Sequence, residues 1–327
     1  MATEIYIIAG FLGAGKTTLI QKLLQQAFQR DKVVLIENDF GEISVDAALL
    51  KSGSVEVREI NSGCICCSLS GDFVKAIKEL LERFHPDKIV IEPSGVGKLS
   101  DILKACSDPQ IQPLAKVKAK ITVVDVKRCK LYLDNFGEFF EDQIQHADTI
   151  LLSRTGDFPD KVSEACQLVQ SLNTQSPVLA KPWSQLTAAE ILLPRHDQHD
   201  QEEPCGHGPG CGCRRQGVQN RAEHGRSHHG SHAHDHAAED IFDTVTIRTK
   251  RVFSMEDLKT SLLHLEQSAN GTVLRAKGIL RGTNGYVNLQ YLPGDIRLTS
   301  CATHGDMLCI IGRNLNRQEL CSLFGGE

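Results

Sequence analysis

The stretch "GFLGAGKTT", residues 10–18, decides how this chain is read. It follows the apolar run "EIYIIAG" and opens the helical pattern "TTLIQKLLQQAFQ". Gly10, Gly15, Lys16 and Thr17 fit G-x-x-x-x-G-K-[ST] in full, with Gly13 and Ala14 inside the loop. Glycines let backbone N–H groups wrap phosphates, and the helix N-terminus adds a favourable dipole. Lys16 is expected to reach the β- and γ-phosphates, Thr17 to ligate Mg²⁺ and Thr18 to donate to an inner phosphate. The dinucleotide fingerprint is excluded, because Thr18 stands where its third glycine packs.

Working outward, residues 1–193 alternate apolar runs with amphipathic stretches. The candidate strands are "EIYIIAG", "KVVLIEN", "SVEVREI", "DKIVIEP", "KAKITVVDV", "DTILLSR" and "SPVLA". "FVKAIKELLERF" reads as a helix, with Ser68 or Ser70 as its cap and a start near Phe73. Strands alternating with helices predict a mainly parallel sheet covered on both faces, an α/β P-loop NTPase. Residues 194–240 are polar and rich in Gly and His, and nine of the thirteen histidines fall there, so this segment is read as a flexible His/Cys-rich linker. Order is expected to return over 241–327 as a small α+β domain. Ser254 caps its helix "SMEDLKTSLLHLEQ" in a capping box with Asp257, and an antiparallel sheet carries "DTVTIRT", "TVLRAKGIL", "GYVNLQYL", "IRLTSC" and "MLCIIG".

Composition narrows the function classes. A net charge of -5 over 327 residues argues against a nucleic-acid partner. "MATEIYIIAG" lacks the basic start of a signal peptide, and no run approaches the roughly 20 apolar residues of a membrane span. The expected setting is cytoplasmic, without a membrane partner. Of twelve cysteines, Cys106, Cys129, Cys166, Cys309 and Cys321 are scattered and read as buried small hydrophobes. Two clusters do not.

An NTPase needs an acid at the tip of a second strand. "DKIVIEPSGVG" supplies Glu92 for a Mg²⁺-bound water and Gly95 to give its N–H to the γ-phosphate. Asp39 and Glu42 in "IENDFGE" lie where a switch would be, and Asp125, ending "ITVVD", is a weaker candidate. At the base end a guanine site wants N-K-x-D after a strand. The chain has "LLSRTGD": Ser153 replaces Asn, Arg154 replaces Lys and Asp157 comes one residue late.

"NSGCICCSLSGD", residues 61–72, places Cys64, Cys66 and Cys67 just before a helix N-terminus, which favours thiolate. Zinc takes about four ligands, so two or three of these thiolates with Glu37 or Glu42 would complete a tetrahedron. Core packing and a redox pair remain open for the same residues.

Taken together, "GFLGAGKTT", "IENDFGE", "GCICC", "EPSGVG", "QIQHAD" and a small C-terminal domain after a His-rich linker resemble the CobW-type GTPases. These are P-loop metallochaperones within a wider group that includes nickel-insertion GTPases, and the resemblance covers nearly the whole chain. It implies GTP hydrolysis linked to holding a divalent metal, zinc or cobalt most often, and delivering it to a client metalloprotein. It places the internal metal site at Cys64, Cys66 and Cys67 with acid from Glu37 or Glu42. It assigns the C-terminal domain, with Arg275 and Lys277, to client recognition or shielding. The departure is "SRTGD". His228, His229, His232, His234 and His236, beside Cys205, Cys211 and Cys213, are read as a looser metal-collecting tract. Two other readings compete: a metal buffer whose nucleotide site only regulates storage, and a P-loop ATPase or small-molecule kinase. The latter wants an arginine-bearing lid, and no segment of the sequence stands out as one.

Overall fold

A computed structural model describes residues 2–37, 55–59, 70–192, 241–268 and 271–326. The first sheet has seven parallel strands: β1 (Thr3–Gly10), β2 (Val33–Glu37), β3 (Val55–Glu59), β4 (Lys88–Glu92), β5 (Ala115–Asp125), β6 (Thr149–Ser153) and β7 (Val178–Leu179), in the order β3-β2-β4-β1-β5-β6-β7. Helices follow these strands: α1 (Lys16–Gln26), α2 (Ser70–Phe84), α3 (Leu99–Cys106), α4 (Cys129–Gln145), α5 (Val162–Leu172) and α6 (Ala188–Leu192). Every strand read from the sequence is present. Helix α2 starts at Ser70, so Ser70 lies inside the helix that it was expected to cap.

Period-two alternation on β1 divides the core. Ile5, Ile7 and Ala9 face α2 and α3, where Phe73, Ile77, Leu81, Leu99 and Ile102 meet them. Tyr6 and Ile8 face the opposite layer, built from Leu19, Ile20 and Leu23 of α1 with Ile191 of α6. Burial on both faces is why the central strands read as continuous apolar runs.

The second sheet is antiparallel: β8 (Asp243–Arg248), β9 (Thr272–Gly282), β10 (Gly285–Leu292), β11 (Asp295–Cys301) and β12 (Met307–Arg313), ordered β11-β10-β9-β12-β8. Two helices pack on it, α7 (Met255–Ser268) and α8 (Arg317–Phe324). The capping box holds: Ser254 N donates to Asp257 Oδ2 at 3.0 Å, and Asp257 N donates to Ser254 Oγ at 3.0 Å. Leu258, Leu262, Phe253 and Phe324 fill the domain's own core.

A third apolar cluster joins the two sheets. Phe11 of the phosphate-loop motif packs on Tyr132 (4.4 Å between centroids) and Phe136 (5.6 Å) of α4. Phe242, entering the C-terminal domain, lies 5.3 Å from Phe136 and 5.2 Å from Phe139. Helix α4 breaks its helical dihedrals at Phe136 (φ -140°, ψ 35°), in the middle of this aromatic contact. Leu292, Leu274, Cys309 and Ile311 bring the second sheet into the same cluster. Between β9 and β12 the register jumps, Ile311 facing Arg275 and Gly312 facing Val273, so Leu274 is the extra residue of a β-bulge. The bulge lets adjacent residues serve one side: Leu274 enters the interdomain cluster while Arg275 lines a cavity.

Candidate nucleotide site

The turn from β1 into α1 builds one wall of that cavity. Gly13 (φ 67°) and Gly15 (φ 106°) take left-handed conformations that a side chain would strain, and Leu19 N donates to Gly15 O at 3.1 Å to start the helix. Lys16 is buried, its Nζ 3.7 Å from Glu92 Oε1. The Thr17 hydroxyl donates towards both Glu92 oxygens, at 3.4 and 3.3 Å. Glu92 ends β4 and stands in register with Glu37, the buried end of β2. Two carboxylates thus sit on adjacent strand tips, Glu92 beside the lysine. Oxygen donors converging at this point, a hydroxyl and a carboxylate, fit a hard divalent cation such as Mg²⁺.

The far end of the cavity is made by the β6 loop and a later turn. Arg154 takes a left-handed conformation (φ 59°), and its carbonyl accepts from both Asp157 N (3.1 Å) and Phe158 N (3.0 Å). The Ser153 hydroxyl points back to Val124 O, at 3.4 Å. Trp183 is pinned by its Nε1 donating to Leu152 O (2.8 Å), while Lys22 Nζ donates to Trp183 O (3.0 Å). The indole comes so near Gly15 that a Cβ there would lie 3.3 Å from the ring.

The cavity, about 540 Å³, is roofed by the C-terminal sheet. Arg275 of β9, Gln290 and Leu292 of β10, and Asp295 and Arg297 of β11 all line it. Leu292 seats on the phosphate loop: a Cβ added to Gly13 would fall 2.2 Å from its Cδ1. Asp295 and three basic side chains stitch the domains together. Asp125 Oδ2 lies 2.7 Å from Arg128 Nη1 and 3.5 Å from Arg154 Nε. Asp295 Oδ2 lies 3.2 Å from Arg154 Nη1 and 3.7 Å from Arg128 Nη2. Arg128 Nη2 also donates to Pro293 O at 3.2 Å, and Lys127 Nζ to Gly294 O at 3.3 Å. Burial opposes ionisation of Asp295, yet Arg297, Arg154 and Arg128 together hold its carboxyl below the usual range. Burial pushes the Lys277 ammonium down to about 8; Cys309 and Glu37 oppose this, and Lys16 reinforces it.

Gly13, Ala14, Gly15, Lys16, Thr17 and Thr18 line the cavity with Glu92, Ser153, Arg154 and Asp157. Several expectations need correction. Asp125 does not face the phosphate loop as a second acid; its fully buried carboxylate is taken by Arg128, three residues on. Gly10 lies outside the lining, closing β1 against β5, where a Cβ would meet Val123 O at 2.5 Å. Gly95 also stands behind the loop, packed on Leu12, with 2.7 Å left for a Cβ. Arg275 and Lys277 face inward, one lining the cavity and the other 2% exposed, so neither forms an outward docking face. Arginines on a covering element, sought as a lid and not found in the sequence, come from the C-terminal sheet. Of the scattered thiols, Cys106, Cys129 and Cys309 are buried, whereas Cys166 and Cys321 are partly exposed. Asp39, Glu42, Cys64, Cys66, Cys67 and the linker residues His228, His229, His232, His234 and His236 lie outside the described residues. Among the described residues no group of three His, Cys, Asp or Glu side chains is placed to hold a metal. No helix there is long and apolar enough to cross a membrane.

Residues 4–180 match the family described as CobW/HypB/UreG, nucleotide-binding domain, and residues 242–326 match the cobalamin synthesis protein cobW C-terminal domain. The chain belongs to the CobW/HypB/UreG family. Its relatives in that family include the zinc chaperone CobW of a Sinorhizobium species, 32% identical over 74% of this chain and 71% of that one. The zinc chaperone YeiR of Escherichia coli K12 is 33% identical over half of each chain. The Zn(II)-bound YjiA GTPase from E. coli superposes over 99% of this chain and 98% of that one, at 17% identity and a TM-score of 0.45.

The residues that sequence reading missed are those of the roof. Trp183 had a signal, as the only tryptophan, just after the last strand of the first sheet. Asp295 had only the turn "PGD".

Proposed function

We propose that this protein hydrolyses GTP and couples its nucleotide state to holding a divalent metal, zinc or cobalt, for delivery to a client metalloprotein in the cytoplasm. The observation that carries the reading is the convergence of Lys16, Thr17 and Glu92 at the start of α1, inside a cavity deep enough for a nucleoside triphosphate. The division of labour follows the expected domains: nucleotide chemistry in 1–193, metal collection in 194–240, and closure over the cavity by 241–327.

In this reading the loop N–H groups and Lys16 bind the phosphates, Lys16 bearing on the β- and γ-groups where charge grows during transfer. Thr17 and Glu92 would hold Mg²⁺, which would supply charge neutralisation for the transferring phosphoryl group. Glu92 orients the attacking water, and Asp39 acts from the switch. The ordering of Lys16, Thr17 and Glu92 before substrate arrives lowers the cost of forming the transition state. Glu37 is the structural hinge of the coupling argument. It ends the strand beside Glu92 and precedes Asp39 and Glu42 in sequence, and the coupling assigns Glu37 or Glu42 to the metal with Cys64, Cys66 and Cys67. The naming of CobW and YeiR as zinc chaperones supports zinc as the cargo.

Phosphate release from GTP and ATP, with Mg²⁺, across a zinc and cobalt titration tests the activity. Zinc affinity measured with GTP, with GDP and without nucleotide tests the coupling, and three equal affinities remove it. Arg275 and Arg297 on the roof keep the kinase or ATPase reading in play, and faster turnover of ATP than GTP favours it.

A further inference from the structure

The guanine motif N-K-x-D places its carboxylate three residues after Asn, which here is Gly156. A Cβ built on Gly156 meets nothing within 4 Å, so the position where that acid belongs is open space. Asp157 follows it and is exposed. Across the cavity, the turn between β10 and β11 presents a second acid. Asp295 Oδ2 lies 3.2 Å from Nη1 of Arg154, the residue standing where the motif has its lysine.

The contacts of Asp295 carry chemical information. Arg297 donates Nε–H to Oδ1 and Nη2–H to Oδ2, each at 3.4 Å. Two parallel donors meeting both oxygens of one carboxylate is also the pattern that guanine offers through N1–H and its exocyclic amino group. Adenine offers an acceptor at N1 and cannot make it. The Arg297 side chain is 64% exposed and can swing into solvent, whereas Arg154 and Arg128, 17% and 2% exposed, hold Asp295 through Oδ2 and leave Oδ1 to Arg297. Arg154 and Trp183 both line the cavity.

We propose that Asp295, supplied by the C-terminal domain, is the carboxylate that reads the purine base, the base taking over the two contacts that Arg297 makes as a placeholder. The proposal rests on the guanine-nucleotide reading above and assigns its base specificity to a residue outside the nucleotide-binding domain. The C-terminal domain thereby becomes part of the binding site, and loss of nucleotide returns Asp295 to Arg297.

The test uses the full chain and calorimetric titration with GDP, XDP and ADP. Xanthine replaces the amino group of guanine by a carbonyl, so Asn accepts from N1–H and donates to that carbonyl. Asp295→Asn keeps the acceptor for N1–H but loses the one for the amino group, and is expected to weaken GDP binding about 100-fold, the value of one hydrogen bond to a charged acceptor, and to tighten XDP binding by at least 10-fold. Asp157→Asn is the comparator and is expected to bring no gain for XDP. Arg297→Ala removes a competitor, and a two- to five-fold tighter GDP affinity is expected, as for an exposed ion pair. An XDP gain in Asp157→Asn and none in Asp295→Asn overturns the proposal. Equal losses of GDP and XDP in Asp295→Asn also overturn it, since they mark a purely structural role. Weaker GDP binding by Arg297→Ala overturns the placeholder. Wild-type protein binding ADP as well as GDP defeats the guanine reading itself, whatever the variants do; a wild-type guanine preference that survives in Asp295→Asn defeats only this proposal.

Discussion

Replacing Asp125 by Asn removes one charge and almost no volume from the junction between the domains. In the native chain Asp125 and Arg128 pair at 2.7 Å with side chains 0% and 2% exposed. An Asn side chain keeps an acceptor for Lys127 N, which Asp125 Oδ1 holds at 2.9 Å, so the local turn survives. What is lost is the compensation of the Arg128 charge and, at 3.5 Å, part of that of Arg154, which keeps Asp295. Breaking a buried pair from one side costs about 3–5 kcal/mol, because the surviving ion cannot recover its water. Pro293 O at 3.2 Å and the Asp295 carboxylate at 3.7 Å remain, which places this case at the lower end, about 3 kcal/mol. That is roughly two decades in the folding equilibrium. Urea unfolding followed by the fluorescence of Trp183, the single tryptophan, measures it. The double variant Asp125→Leu with Arg128→Met is expected to recover most of the loss, since a buried pair replaced whole by apolar groups is often neutral. Asp125→Asn within about 1 kcal/mol of wild type would refute the reasoning, because Arg128 would then be drawing its stabilisation from elsewhere.

Three further outcomes follow from the same geometry. Lys16→Ala is expected to lower triphosphate affinity by roughly 10- to 100-fold, the value of a charge-assisted contact, and to move the midpoint of any Trp183 fluorescence change on adding nucleotide to higher concentration by the same factor. Gly13→Ala forces a left-handed alanine, about 1–2 kcal/mol, and drives its Cβ to within 2.2 Å of Leu292 Cδ1; adding Leu292→Ala should relieve the clash but leave the backbone strain, as read by urea unfolding. Lys277 has a folded-state pKa near 8 against 10.5 unfolded, so between those values the unfolded chain binds more protons and stability rises with pH. The slope is up to about 1.4 kcal/mol per pH unit, flattening outside the window, and melting curves of Lys277→Met across the same range should lack it.

The sequence carried the local rules well and the long-range ones poorly. The phosphate loop was legible because Gly13, Gly15, Lys16 and Thr17 act within one turn of chain. The Ser254–Asp257 box was legible for the same reason. Asp125 misled because a strand-ending acid reads alike whether it faces a phosphate or an arginine. Arg128, three residues on, was the available signal, since that spacing brings side chains together in a turn. Arg275 misled through the bulge at Leu274, which changes the facing of the strand without any mark in its apolar pattern. Asp295 was out of reach because its partners, Arg128 and Arg154, lie more than a hundred residues away.

The aromatic cluster bears on where nucleotide-driven movement can occur. Phe242 packs tilted against Phe136 and edge-on against Phe139, and Phe11 meets Phe136 from within the phosphate loop. Each such ring buried is worth about 1.5–3 kcal/mol, so drawing the C-terminal sheet away would expose several rings and release the loop's own anchor. Leu292 against Gly13 adds to that resistance. A swing of the whole domain would therefore disrupt the site whose occupancy is meant to drive it. The rim is softer: Arg297 is largely exposed, and its contacts to Asp295 are long, at 3.4 Å. Under the proposed function, a response of the C-terminal domain to nucleotide is therefore expected at this edge, with the aromatic centre held and the phosphate loop keeping its shape.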